Sequence, residues 1–117
     1  MLPKINRLKK KKDFERVSKK GRSFKEDFLV LRMVSNNLKI SRFGFVVSQK
    51  ISKQASQRNK IKRRLRELVR LKLSKLKKGI DGVLIACPGL ETKGLWEMEE
   101  SINKLFKKAK LTQEKRK

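Results

Sequence analysis

Residues 55–67 read Ala-Ser-Gln-Arg-Asn-Lys-Ile-Lys-Arg-Arg-Leu-Arg-Glu, which sets six cationic side chains around a single Asn. Guanidinium groups are planar forks that meet phosphate oxygens two at a time, whereas an ammonium group is a compact point charge. On a helix, Asn59, Arg63, Arg66 and Arg70 fall on one stripe, to the side of an apolar face made by Ile61, Leu65, Leu68 and Val69. Arg58 and Lys62 overlap the apolar sector at the first turn and are expected to point toward the preceding loop or a sheet edge. Lys60, Arg64 and Glu67 lie opposite. A solvated basic face is the ordinary reading of a charge run. Here, however, Glu67 is the single acid between 58 and 78, where eleven cations stand. That imbalance calls for an anionic partner, and the apolar stripe calls for a folded helix rather than a basic tail.

The groups that would make a self-sufficient hydrolase are missing. The chain has no His, the commonest general base and metal ligand. Asp13, Asp27 and Asp81 stand in separate segments, and no carboxylate pair has the spacing of a two-metal site. Glu97, Glu99 and Glu100 suit a helix N-terminus better than a metal site. No glycine-rich phosphate loop appears. Cys87 is the one cysteine, in an apolar run, which excludes an intrachain disulfide and a cysteine-based zinc cluster. Among the aromatics, Phe14 is open to two readings, a core position or a cleft edge that stacks on an unpaired base. Phe43 and Phe45 share one strand face, where core is favoured over cleft. Trp96 falls off the apolar stripe of its helix and reads as a partly exposed anchor.

Net charge frames these residues. The 117 residues hold 35 Lys and Arg against 11 Asp and Glu, a formal charge of +24. Nucleic acid is the simplest partner, since phosphate neutralisation releases counterions and gives salt-dependent affinity. At 37% hydrophobic and 6% aromatic content, one modest core in one domain, 1–117, is expected. Residues 1–12 and 110–117 read as flexible basic segments. No apolar stretch approaches the roughly 20 residues that span a bilayer, and the chain is expected to be soluble and cytoplasmic.

The elements that position the basic helix follow from pattern. Asp13 caps a short helix that ends at Gly21. Residues 28–34 and 43–48 read as strands, the second antiparallel to the first. Ser56 is the expected N-cap of the basic helix, which runs to about Lys78, with Gly79 as its stop. Residues 82–87 form a strand buried on both faces, and a last helix covers 95–109. The order is α-β-β-α-β-α, an α+β arrangement with helices on one small sheet. The crossover through the basic helix allows its flanking strands to be parallel.

These residues carry a specific likeness. Ala55-x-x-Arg58-Asn59-Lys60-Ile61-Lys62-Arg63-x-Leu65-Arg66-Glu67 resembles the signature of the bacterial ribonuclease P protein subunit, Ala-x-x-Arg-Asn-Arg followed by an apolar residue, Lys-Arg and a further Arg. Upstream, Leu8-Lys9-Lys10, Asp13-Phe14-x-x-Val17, Gly21-Arg22-Ser23-Phe24 and Arg42-Phe43-Gly44-Phe45-Val46-Val47-Ser48-x-Lys50 follow in the family's order. Lys60 stands where the family commonly has its second Arg, and Ser18 where an aromatic often follows.

The resemblance implies an α-β-β-β-α-β-α fold of the ribosomal protein S5 domain 2 type, with a left-handed β-α-β crossover. It would divide the region 28–49 differently from the count above, with Lys39–Ser41 as another strand or an extended hairpin. It implies one subunit of a ribonucleoprotein that removes the 5′ leader of precursor tRNA, in which the RNA is catalytic and uses magnesium that the protein alone does not hold tightly. The implied partners are ribonuclease P RNA, at one protein per RNA, and precursor tRNA, with no membrane. By position, Arg58, Asn59, Lys60, Lys62, Arg63, Arg66 and Arg70 would face the catalytic RNA. Phe14, Phe45, Val47 and Lys50 would line a leader cleft between the first helix and the sheet. A ribosomal or other RNA-scaffold protein shares the charge and size, and a DNA-binding module lacks a recognisable helix-turn-helix or zinc spacing.

Overall fold

The apolar run near 82–87 lies in strand β4, Ile80–Ala86, the centre of the fold. The computed structural model describes residues 2–111. Nearly every β4 residue is buried, as a strand covered on both faces requires. It pairs antiparallel with β2 (Leu29–Ser35) and parallel with β3 (Arg42–Val46). Strand β1 (Arg22–Glu26) pairs antiparallel with β2, giving the order β1-β2-β4-β3. Helices α1 (Lys11–Lys20), α2 (Ala55–Lys72) and α3 (Leu95–Lys108) complete an α-β-β-β-α-β-α chain.

Three expectations are corrected. The additional strand is β1, upstream of residue 28, and not a piece of 28–49. Its Arg-Ser-Phe-Lys-Glu has no β-branched residue and sits on an exposed edge, so pattern alone does not mark it. Its turn is closed by Asp27 at φ 53°. Second, β2 and β3 run in opposite directions but are not neighbours, because β4 inserts between them. Third, α2 begins one residue before Ser56, with Gln54 at its cap, and ends at Lys72. A short 3-10 turn, Leu73–Lys75, then leads to Gly79 at φ 82°.

Pleating sorts the sheet into two faces. Leu29, Leu31, Phe43 and Leu84 face α2 and α3 and join Ile61, Leu65, Leu68, Ile102, Leu105 and Phe106 in the main core. The rings of Phe43 and Phe106 lie 6.0 Å apart, tilted. The opposite face carries Val83 with Val34 and Ile85, packed with Leu8, Val17 and Phe14 beneath α1.

The first residues do not stand off as an arm. Leu2, Asn6 and Leu8 are buried, the Leu8 amide donates to the Phe43 carbonyl at 2.9 Å, and Arg7 bridges Phe43 in parallel register. This segment covers the β3 edge, which would otherwise expose unpaired backbone groups. Its lysines hid the few apolar residues that anchor it. At the other end Leu111 is buried and accepts a 2.7 Å bond from the Lys77 amide, so residue 111 is anchored to the fold. The rest of the basic tail lies outside the described residues.

Candidate nucleic-acid interface

Because α2 buries Ile61, Leu65, Leu68 and Val69, its remaining circumference is left to cations. Asn59, Lys60 and Arg63 are exposed, and Lys62 and Arg66 are half-buried beside the β3 edge. Among the described residues Lys60, Lys62, Arg63, Arg64 and Arg66 form no ion pair. Arg58 is turned inward, donating to the Ser52 carbonyl at 2.9 Å. Arg70 departs from the ridge, because its Nε donates to Glu67 Oε2 at 3.0 Å and its Nη2 pairs with the same oxygen. The hydrogen bonds from Arg70 hold the Glu67 carboxyl below its ordinary range. The free ridge is therefore Asn59, Arg63 and Arg66, with Lys60 and Lys62 flanking.

On the other face, α1 leans over the sheet and leaves a cleft of about 280 Å³. Phe14, Val17 and Ser18 form one wall, Val46, Val83 and Ile85 the floor, and Lys11 and Arg32 stand at its sides. Phe14 packs over Gly44, where a Cβ would come within 2.4 Å of the ring, so only glycine allows this approach. Arg32 Nη2 donates to the carbonyls of Ser18 (2.6 Å) and Gly21 (3.0 Å), tying β2 to the end of α1.

The sequence-chosen cleft residues divide. Phe14 is in place. Phe45 and Val47 sit on the α2–α3 face, with Val47 in the main core, because a period of two puts Val46 and Gly44 on the α1 side. Phe45 instead lines a groove at the β3 edge, together with Phe14, Arg7, Lys9, Lys62 and Arg66. Lys50 is exposed in the turn after β3, its amide bonded to Ser48 Oγ, and lines neither cavity. Val46, Val83, Ile85 and Arg32 were missed, and strict alternation from the buried Phe43 would have found Val46. Phe14 lines both the cleft and the edge groove, and Lys62 and Arg66 of α2 line the latter.

One buried carboxylate holds this face together. Asp81 is fully buried and accepts from Arg42 Nε (2.9 Å) and Nη2 (2.7 Å), Arg16 Nη2 (2.7 Å) and Asn36 Nδ2 (2.8 Å). Burial pushes its carboxyl up. The hydrogen bonds from Arg42 and Asn36 and the charges of Arg42 and Arg16 outweigh that and hold it below the usual range. Both oxygens are thus taken by cations and an amide, which does not suit a resident metal. Among the described residues no group of three or more His, Cys, Asp or Glu could hold one, and no helix is long and apolar enough to cross a membrane.

Comparison with known proteins gives a consistent picture. The Ribonuclease P family model matches residues 2–110. The ribonuclease P protein component of Caldanaerobacter subterraneus is 38% identical over 115 residues, covering 98% of each chain. That of Clostridium acetobutylicum is 42% identical over 110 residues, covering 92% of each. Among solved structures, the Staphylococcus aureus RNase P protein superposes with a TM-score of 0.85 at 31% identity, over 92% of this chain and 97% of that one. The Thermotoga maritima RNase P protein gives 0.80 at 32% identity, over 87% and 96%.

Proposed function

The chain belongs to the ribonuclease P protein family, and from that premise we propose that it binds two RNAs at once, the catalytic RNA along α2 and the 5′ leader of precursor tRNA in the α1 cleft. Arg63 and Arg66 would clamp phosphates of the catalytic RNA, with Asn59 and the flanking lysines adding hydrogen bonds and charge. Lys60 contributes a point charge where a guanidinium would grip two oxygens. A single-stranded leader would lie across the apolar floor of Val46, Val83 and Ile85, with a base stacked on Phe14, an arrangement worth about 1–3 kcal/mol per base. Lys11 at the side of the cleft would hold its phosphates.

In this reading no side chain of the protein does chemistry. Magnesium, bound by the RNA, would supply the hydrolytic chemistry. The protein lowers the repulsion between two crowded RNAs and adds contacts that only leader-bearing substrate makes. It would act in the cytoplasm, one protein per RNA. The observation that carries the proposal is the edge groove: Phe14 of the cleft and Lys62 and Arg66 of α2 line the same depression, so RNA held at one surface abuts RNA held at the other.

The test is reconstitution with a bacterial ribonuclease P RNA at low magnesium, where electrostatic help matters most. The protein should restore 5′ processing of precursor tRNA. Folded protein that gives no stimulation with several such RNAs would refute the proposal.

A further inference from the structure

Beyond the α2 ridge and the α1 cleft lies a third concavity, a trough of about 500 Å³ at the C-terminal end of α2. Three segments build it: the N-terminal residues 3–6, the 36–41 loop, and the stretch from Leu73 to Lys78. Its walls carry Lys39, Lys77 and Lys78, all exposed, together with Arg70, which is paired to Glu67; no acidic side chain lines the trough itself. Among the described residues none of these three lysines forms an ion pair. Between them lie apolar surfaces, chiefly Leu73, Ile40 and Ile5, the last 65% exposed.

The trough is held in shape. Asn6 Nδ2 donates to the Ser41 carbonyl (2.8 Å), Ser41 Oγ donates to the Lys77 carbonyl (2.7 Å), and the Ile80 amide donates to Ser41 Oγ (3.1 Å). The Asn36 amide donates to the Gly79 carbonyl at 2.9 Å, and Asn36 Oδ1 accepts from the Leu38 amide at 2.7 Å. The lysines are thus presented from braced backbone, which lowers the ordering cost of binding. The same N-terminal segment walls the edge groove on its other side, through Arg7 and Lys9.

We infer that this trough is a separate RNA-binding site, with phosphates on Lys39, Lys77 and Lys78 and a ribose or base face against Ile5 and Ile40. Three lysines without ion-pair partners around an exposed apolar strip match a nucleotide segment, which is anionic along its backbone and apolar on its base faces. The inference rests on the reading of the chain as an RNA-binding subunit. Arg70 of α2 lines the trough, so the trough continues the surface assigned to the catalytic RNA, and the catalytic RNA is its occupant.

Binding of the full chain to ribonuclease P RNA, and of precursor tRNA to the assembled complex, is measured across monovalent salt. The variants are Lys39→Ala/Lys77→Ala/Lys78→Ala, Ile5→Ser, and Lys25→Ala/Lys104→Ala/Lys107→Ala as an equal-charge control away from the trough. In the titration with ribonuclease P RNA the trough variant should flatten the dependence of log K on log salt by about 2, and weaken binding about tenfold or more, well beyond the control. Ile5→Ser should weaken the same binding about threefold without changing the slope, as loss of a non-ionic contact does. An effect confined to the precursor titration would overturn the inference. Trough and control variants that match in both titrations would overturn the inference. Wild-type protein that does not bind the RNA at all would overturn instead the reading beneath it.

Discussion

Behind the sheet, α2 and α3 rest on a continuous apolar core in which Leu65, Leu84, Ile102 and Leu105 are without exposure. In front, α1 rests on the small cluster of Leu8, Val17 and Val83 and on the ions around Asp81. The contrast separates two uses of charge. The core fixes α2 without help from its cations, so most of them stay free to meet phosphate. Arg16 and Arg42 are spent on structure: they bind a buried carboxylate and fix the helix that bounds the cleft. A cationic chain therefore carries arginines of two kinds, and only their partners distinguish them.

The largest expected effect comes from breaking the front clamp. Asp81→Ala leaves Arg16 and Arg42 without their buried counter-ion and should cost about 3 kcal/mol in denaturant unfolding. Amide exchange should accelerate in α1 more than in α3. Equal acceleration in both would mean that the two faces are not held independently.

Next, Arg63→Ala with Arg66→Ala should lower affinity for the catalytic RNA by about 100-fold at moderate salt while changing stability by less than about 0.5 kcal/mol. A matching loss of stability would place these arginines with Arg16 and Arg42 as structural. A smaller effect is expected at Phe14. Its replacement by Ala should reduce affinity for leader-bearing precursor by about tenfold, within the range of one lost base stack, and leave mature tRNA nearly unaffected. Indifference to the leader would remove the cleft from the account.

The smallest effect is a pH dependence. Asp81 is held below its ordinary value of 3.8, so the unfolded chain takes up its proton first as pH falls. The stability from the clamp is complete above that value and is lost as pH drops through the lowered one. Acid unfolding monitored at α1 should begin below about pH 4 and should shift in Asp81→Asn. An unchanged acid transition in that variant would exclude Asp81 as its cause.

The sequence carried the back of the molecule well and the front less well. The α2 stripe, the doubly buried β4 and the apolar spacing of α3 are strong periodic signals because each buries against the main core. Strand β1 is an edge with little to bury, and the first residues hide Leu2 and Leu8 among lysines. The choice of Phe45 and Val47 beside Phe14 favoured side-chain size over strand alternation, which puts them on the main-core side of the sheet rather than under α1. The tie between Arg70 and Glu67 is an i, i+3 contact that the sequence permits. The assembly at Asp81 draws on positions 16, 36, 42 and 81, and no local pattern announces such a meeting.

The central claim is that α2 and the α1 cleft serve different RNAs. It is tested most directly by measuring, in one experiment, catalytic-RNA affinity and leader-dependent precursor affinity for the Arg63→Ala/Arg66→Ala and Phe14→Ala proteins. A crossed result is expected: the arginine variant fails chiefly in assembly with the RNA, and the Phe14 variant assembles normally but loses discrimination for the leader. Variants that lower both affinities in the same proportion would contradict it.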